Sequence, residues 1–316
     1  MSPLLKYSAD RKTLAFVALA YLLTFGGFAA HAWLPWWVEA PVILFACWMG
    51  FVCAVITHNV IHAPIFRSRT LNRLFQLVLT LAYGHPVSAY VPGHNLSHHL
   101  HTQSRKDVMR TTKLRFRWHL LNFLLGPVVL GRDIGGADFA YAKAMRKERP
   151  RWFRQWVLEW IVFVVVQGTL LYVDWTAFIL YQLLPHSAAA FGIVGMNLLQ
   201  HDGCDEHSTY NHSRNFVGPW INFWCFNNGY HTIHHAHSGL HWSLAEDAHN
   251  REIKPHIYPG LDEPNMAAYI WRTFVYPGVR VDMYGQRLSL PDEGPDESWI
   301  PNVRTTPQGV SLGAET

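Results

Sequence analysis

Four apolar stretches with almost no charge stand out along the chain. They cover residues 13–30, 40–57, 155–173 and 175–199. At a rise of about 1.5 Å per residue, each is long enough as a helix to cross most of a hydrocarbon core of roughly 30 Å. The first two are joined by a link rich in Trp and Pro, which is typical of a membrane interface, and the last two are separated by Asp174. The pattern therefore predicts four transmembrane helices arranged as two hairpins.

Two shorter segments, 69–90 and 116–131, combine a polar start with an apolar part. This pattern favours helices that lie in the membrane interface or dip into it. After Leu244 the chain becomes polar and rich in proline, and residues 289–316 show no periodicity, so we expect a draped or disordered tail there. We expect residues 1–316 to form a single all-α integral membrane domain.

The distribution of lysine and arginine indicates the orientation in the membrane. Three of these residues precede the first span and sixteen lie between Arg67 and Arg154, whereas the short links of the two hairpins contain none. The positive-inside rule then places both termini and the long middle region in the cytoplasm of a multi-pass protein of the inner (cytoplasmic) membrane. Ala30-His31-Ala32 resembles a signal-peptide cleavage site, but the preceding apolar run exceeds the usual core of about 7–15 residues, so a retained span is favoured.

The composition agrees with membrane segments joined to a sizeable water-facing part. Of the 316 residues, 50% are hydrophobic and 15% are charged, and the mean hydropathy is +0.02. Soluble domains carry about 25% charged residues. The 14% of aromatic residues excludes disorder for most of the chain. The four cysteines form no CxxC pair, so neither a disulfide framework nor a zinc ribbon is expected, and a reducing cytoplasmic face fits.

Histidine is unusually common, with 20 residues against 26 lysines and arginines. Nine of these histidines lie beside predicted membrane boundaries, and their spacing within each segment places the rings on one side of a helix. They are His58, His62, His94, His98, His99, His201, His231, His234 and His235. In the predicted topology all nine emerge on the cytoplasmic side, where they converge into a His-rich cap if the two hairpins pack together.

A histidine cluster of this size predicts a metal site. Neutral imidazole is the commonest metal-ligating side chain, and nine imidazoles are too many for one structural zinc, which takes four ligands. They suit two first-row ions with open coordination positions, although imidazole binds zinc, copper, iron and nickel alike. A His-rich metal transporter is a remote alternative, because it needs ligands within the spans and these clusters lie at their ends. A purely structural membrane protein leaves the convergence unexplained.

The three clusters, HNVIH, HNLSHH and HTIHH, resemble the histidine boxes of the membrane fatty acid desaturase/hydroxylase superfamily. The resemblance covers about residues 40–245. The second box continues into LHTQSRKD, the third follows NNGY, and His201 matches a further ligand that the family often places after its last span. The resemblance implies that the nine histidines are the catalytic metal ligands of a non-haem di-iron centre, with two iron ions per chain and O₂ as co-substrate.

The same resemblance implies an O₂-dependent desaturase that introduces a double bond into a fatty acyl chain. The closest alternative is a fatty acyl or carotenoid hydroxylase or ketolase, because these enzymes share the boxes. The substrate carrier is open between a lipid, acyl-CoA and an acyl-carrier protein, and no nucleic acid partner is expected. Neither a haem-binding cytochrome domain nor a GxGxxG motif is present, so electrons must come from an external donor such as a ferredoxin.

The stretch from Arg105 to Arg117 holds six lysines and arginines. It is either an ordinary positive-inside loop in contact with lipid or a dock for an anionic headgroup, a CoA moiety or an acidic carrier protein. We also expect the external electron donor to dock on the basic cytoplasmic face there and around 146–154.

Several other side chains are candidates for a place near the metal. Asp107, Asp202 and Glu206 either orient ligand imidazoles or only add solubility. His101, His237 and His241 are either alternative ligands or neighbours of the ligands, and the second interpretation is favoured. His249 and His256 are expected to be ordinary surface residues. Aromatic residues before the third box either line the acyl slot or anchor the chain at the interface, namely Trp220, Phe223, Trp224 and Phe226.

Overall fold

The computed structural model describes residues 4–300 and is mostly helical. The described chain divides into two compact units. Unit 1 contains residues 4–91 and 142–193, and unit 2 contains residues 92–141 and 194–300. The single domain expected over residues 1–316 stays a prediction.

Eight helices in the described part of the chain are numbered α1 to α8. They are α1 Asp10–Trp33, α2 Trp36–His62, α3 Arg69–Tyr83, α4 His119–Glu148, α5 Pro150–Val173, α6 Trp175–His201, α7 Pro219–Trp224 and α8 His231–Ala236. Two short strands, β1 Asn215–Phe216 and β2 Asp262–Glu263, pair in parallel, with Asn215 opposite Asp262. Further helical segments are Val87–Ala89, Val91–His98, His99–His101, Thr111–Lys113, Trp242–Leu244, Ala245–Ala248, His249–Ile253, Pro259–Leu261, Met266–Ile270 and Trp271–Val275.

Among the described residues, five helices are long and apolar enough to cross a membrane, namely α1, α2, α4, α5 and α6. Four of them cover the stretches from which spans are predicted. The fifth, α4, begins inside the predicted interfacial segment 116–131 but continues to Glu148. Gly131 and the charged pair Arg132 and Asp133 interrupt the apolar pattern, which is why the sequence does not predict the second half of this helix. The predicted count of four spans in two hairpins stays a prediction.

Close helix contacts in unit 1 depend on residues without a side chain. A Cβ atom on Gly50 of α2 would lie 2.4 Å from the carbonyl oxygen of Pro185 in α6, and one on Gly192 would lie 2.3 Å from the ring of Phe51. Small residues let transmembrane helices approach closely, and dispersion contacts then stabilise the pair. Glycine at these two positions therefore fixes the distance between α2 and α6.

Glu159 is an acidic residue in the apolar helix α5, and it is fully buried. Its carboxylate accepts hydrogen bonds from the Ser88 backbone N–H at 2.7 Å, the Ser88 hydroxyl at 3.0 Å and the Gln155 amide at 2.9 Å. A buried carboxylate is tolerated only when donors replace its water. These bonds tie α5 to the segment that leads into the second histidine box.

Buried polar links connect several loops of unit 2. The Arg214 guanidinium donates to the carbonyl oxygens of Leu199, at 2.9 Å, and Asp202, at 3.2 Å, and lies 4.4 Å from the ring centroid of Tyr269. Arg280 pairs with the Asp202 carboxylate. These links fix the C-terminal end of α6 against the loops that follow it.

The last described segment, 289–300, has no helix or strand, in agreement with its lack of periodicity. It nevertheless contacts unit 2, because Trp299 stacks on Tyr141 with ring centroids 6.2 Å apart and Asp296 pairs with Arg110. This part of the predicted tail is therefore draped over unit 2. The rest of that prediction, for residues 301–316, lies outside the described residues.

Candidate metal centre

The second histidine box lies on a π-helix, Val91–His98, which is continued by the helical turn His99–His101. The wider turn of a π-helix places residues i and i+5 side by side. The Nε2 atoms of His94 and His99 are accordingly 3.1 Å apart. The box spacing indicates one shared side, as predicted, but it does not reveal the π geometry.

The third box, α8, is positioned by the tight turn that precedes it. Phe226 and Asn227 have φ values of 49° and 56°, in the left-handed region that a bulky residue adopts only under constraint. The Asn222 carboxamide oxygen accepts from the Gly229 N–H at 3.2 Å. A Cβ on Gly229 would lie 2.2 Å from the Phe216 carbonyl oxygen, so only glycine fits there. The Asn-Asn-Gly sequence before the box is the signal for this turn.

His201 ends α6 and points toward the third box. Its Nδ1 lies 3.1 Å from the His212 carbonyl oxygen, which only accepts hydrogen bonds, so Nδ1 carries the proton. Its Nε2 lies 2.9 Å from Nε2 of His231. The neutral ring therefore presents the lone pair of Nε2 toward the other histidines. The sequence offers no signal for this role of the His212 backbone.

His98 is oriented in the same way by a carboxylate. Its Nδ1 donates to Asp107 Oδ2 at 2.8 Å, and both side chains are almost completely buried. Such a carboxylate–histidine pair fixes the tautomer and raises the basicity of the other nitrogen. Of the three candidate carboxylates, Asp107 is therefore the one that holds a box histidine.

Four of the nine histidines form a group with the spacing of metal ligands. Each of His98, His201, His231 and His235 offers a ring nitrogen, and these four atoms all lie within 4.8 Å of one another. The Nε2 atoms of His231 and His235 are 3.1 Å apart. Two nitrogens at right angles and about 2.1 Å from a common ion would lie about 3.0 Å apart, so this group fits a first-row metal ion.

A second group in unit 2 consists of His94, His99 and His234. The Nε2 atom of His99 is 3.1 Å from that of His94 and 3.0 Å from that of His234. The two groups touch, since the rings of His99 and His235 are stacked with centroids 4.4 Å apart. Unit 2 therefore brings seven of the nine predicted ligands together.

Burial keeps these rings in the form that binds metal. It lowers the pKa of His235 well below the usual value, and the neighbouring rings of His99, His231, His201 and His98 lower that pKa further. A neutral imidazole keeps its lone pair, which a metal ion requires.

The first box belongs to unit 1. His58 and His62 lie at the end of α2, both are buried, and their ring centroids are 5.3 Å apart. The His58 ring also lies 6.2 Å from that of Tyr90. The i, i+4 spacing places the two rings on one helix face, as predicted. That this pair joins the other seven histidines stays a prediction.

Two candidate carboxylates do not orient a box histidine, and the surroundings of two other histidines differ from those predicted. Asp202 binds Arg280, and Glu206 lies 3.7 Å from His207, so neither is bonded to a box histidine. His237 is exposed and pairs with Glu252 at 2.7 Å rather than lying beside a ligand. His249 is buried and lies 3.1 Å from Asp262, so the expectation of a surface residue is wrong.

Three other candidates, His256, Trp220 and Phe223, have an exposure that agrees with a prediction. His256 is exposed, as expected. Trp220 and Phe223 are also exposed, which agrees with interface anchoring, whereas Phe226 is buried against Trp242.

The comparison with known families agrees with the box pattern. The family model for fatty acid desaturases matches residues 31–264, about three quarters of the chain. The chain belongs to the fatty acid desaturase family. No individual curated protein matches it significantly. As a member of this family it is an oxidoreductase with a lipid substrate and a membrane environment. The family typically holds two iron ions, and the histidine groups of this chain fit metal ions by their spacing and tautomers.

Proposed function

We propose that this desaturase family member removes two hydrogens from adjacent methylenes of a fatty acyl chain and leaves a double bond. In the balanced reaction O₂ takes up the two hydrogens, two electrons and two protons, and two waters form. The electrons and protons come from an external donor and solvent. The observation that carries the proposal is the group His98, His201, His231 and His235, whose ligand nitrogens lie within 4.8 Å of one another.

Two bound iron ions would supply the oxidising power that breaks an unactivated C–H bond. The contribution of this chain is to hold the ions, to orient the histidine rings that bind them and to exclude water from the site. Asp107 and the His212 carbonyl keep protons on Nδ1 of His98 and His201, so that both rings offer Nε2. Burial of His98 and His231 excludes water from their side of the centre.

The full ligand set in this proposal comprises all nine box histidines. Seven of them contact one another within unit 2. His58 and His62 are included because they form the first box of the pattern and lie, buried, on one face of the end of α2. Loss of His58 should therefore lower metal content as much as loss of His98 does.

We propose four spans, α1, α2, α5 and α6, with both termini and the boxes in the cytoplasm. The helix α4 then lies at the interface, which is supported by Arg132 and Asp133 near its centre and by the exposed Leu124 and Val128 on its surface. Cysteine-accessibility labelling tests the orientation. A cysteine at exposed Asp247 should react only from the cytoplasmic side, and reaction from outside would contradict the topology.

Hydroxylation at the same centre is the alternative outcome, since both reactions begin with removal of one hydrogen. The positions of the histidines serve either outcome equally. The product therefore decides between them, and desaturation is the proposal because the sequences around the second and third boxes resemble those of acyl-lipid desaturases.

Lipid mass spectrometry of cells with and without the chain tests the proposal. We expect an acyl species two mass units lighter in cells that express it. His98→Ala and His234→Ala should abolish that species, whereas His256→Ala, at an exposed histidine outside the groups, should retain it. An unchanged lipid profile with wild-type protein that contains metal and has a donor present would contradict the proposal.

A further inference from the structure

The loop from Gln103 to Arg115 has two distinct faces. On the inner face, Asp107 accepts from the Gln103 N–H and the Met109 N–H, each at 2.8 Å, and holds the ring of His98. The Arg110 N–H donates to the Asp107 carbonyl oxygen at 3.2 Å. The cations that follow Asp107 are thus attached directly to the support of a candidate metal ligand.

The outer face of this loop lines a groove, with a cavity of about 700 Å³. Four cations contribute to its wall, Arg105, Arg110, Lys113 and Arg115. The opposite wall is the segment 291–296 of the same chain, which we name the acidic strap together with Glu297. Within these seven residues the strap carries four carboxylates and has no apolar side chain other than proline.

The strap is attached to the groove by polar contacts. Asp296 pairs with Arg110 and accepts from Lys113 Nζ at 2.8 Å. Arg110 also donates to the Gly294 carbonyl oxygen at 3.1 Å, and the Glu297 N–H donates to the Arg105 carbonyl oxygen at 2.9 Å. Burial alone would raise the pKa of Asp296, but the hydrogen bonds from Lys113 and Arg110 hold it below its usual value, so this carboxyl is charged.

The basic side chains in these contacts are less exposed to solvent than the acidic side chain of the strap. The side chains of Arg110 and Lys113 are only 9% exposed, whereas that of Asp296 remains 38% exposed. A pair with one exposed partner stabilises a structure by about 0–1 kcal/mol, and salt screens it. The strap has no helix or strand of its own. The strap is therefore held to the groove by polar contacts of a kind that a competing acidic surface can replace.

We propose that the groove is the docking site for an acidic redox protein and that the acidic strap covers the cations of this site until the partner displaces it. The inference rests on the proposed function, because it names the surface at which the electron donor binds. The partner is defined by its chemistry: carboxylates spread over a surface about as long as the strap.

An extended acidic surface fits the groove better than a single phosphate does. The strap contacts cations from Arg105 to Arg115 through both side chains and carbonyl oxygens, along its whole length. Lys113 Nζ also pairs with Asp133 Oδ2 at 2.6 Å, and this pair reduces the positive charge available to a compact anion. A partner docked here lies against the loop that holds His98.

The first test measures binding without turnover. The probe is a purified plant-type [2Fe–2S] ferredoxin, and its Kd for the full chain in detergent is measured at low salt. Asp296→Asn should lower the Kd about fivefold, the equivalent of one ion pair of about 1 kcal/mol. Arg110→Gln should raise it, because the groove itself is damaged.

Two controls match these variants. Asp247→Asn removes an exposed carboxylate of unit 2 outside the groove, and Arg251→Gln removes an exposed arginine of the same unit. Both should leave the Kd unchanged. Equal Kd values for wild type and Asp296→Asn would overturn the proposal, as would tighter binding of coenzyme A but not of ferredoxin in that variant.

Hydrogen exchange shows whether the acidic strap leaves the groove when ferredoxin binds or remains there as a fixed part of the structure. Addition of ferredoxin should speed exchange in a peptide that spans 291–297, because the hydrogen bond from Glu297 N–H to Arg105 is lost. Unchanged or slower exchange with ferredoxin bound would overturn the proposal, and so would loss of bound metal in Asp296→Asn. Neither test requires product, so a failure of the desaturase assignment is detected separately by lipid analysis.

Discussion

At the residue scale, the tautomers of two histidine rings depend on hydrogen-bond partners that the sequence does not reveal. The residue type and the spacing of the nine box histidines predict that their rings lie together, and seven of these rings do so in unit 2. The tautomers depend instead on Asp107 and the His212 carbonyl, which bond the Nδ1 atoms of His98 and His201. Asp107 is a candidate by its residue type, whereas a backbone carbonyl has no sequence signature.

The pair of Asp107 and His98 leads to a prediction about metal affinity. Asp107→Asn removes the charge that supports the ring, and loss of such a partner typically weakens metal binding about 10–100-fold. Competition with a chelator of known affinity measures the change. Asp247→Asn, an exposed carboxylate of the same unit, is the control. Equal affinity in wild type and Asp107→Asn would show that the pair does not support a metal ligand.

The buried rings predict how metal binding depends on pH. An ordinary histidine has a pKa of about 6.5, and burial lowers the pKa of His235 well below that value. Protons therefore compete with metal at this ring only at pH values below the usual range. Metal content should be the same at pH 7.5 and pH 6, and it should fall as the pH is lowered further. Loss of half the metal near pH 6.5 would contradict this environment for His235.

At the element scale, the sequence predicts where helices occur better than it predicts their form. The four apolar stretches all lie in helices that are long enough to span a membrane. The second box, however, lies on a π-helix, and α4 continues to Glu148 through three glycines and several charges. Local composition does not reveal either feature.

The turn before α8 leads to a prediction with a matched control. Gly229→Ala places a Cβ 2.2 Å from the Phe216 carbonyl oxygen, so the third box must shift. We expect a loss of about 2 kcal/mol or more in stability and a lower metal content. Gly239→Ala is the control, since no atom lies within 4 Å of its Cβ. Thermal unfolding and metal analysis of the purified variants measure both effects. Equal values for the two variants would contradict the tight turn.

At the scale of the whole molecule, the predicted fold class agrees with a mostly helical chain that has several membrane-length helices. The sequence offers a docking surface as one interpretation of the basic stretch, but it does not indicate the cover by the strap, because the tail has no periodicity. The contacts of Asp296 with Arg110 and Lys113 join residues more than 180 positions apart, and such pairs cannot be assigned from one sequence.

The most direct test of the desaturase assignment is the fate of the atoms in one turnover. The purified chain loaded with iron receives a deuterated acyl substrate, ¹⁸O₂ and a reduced ferredoxin, and the products are analysed by mass spectrometry. We expect an unsaturated acyl chain that has lost two deuterium atoms and contains no ¹⁸O. An ¹⁸O-labelled alcohol as the main product would contradict desaturation and assign the same histidine centre to hydroxylation.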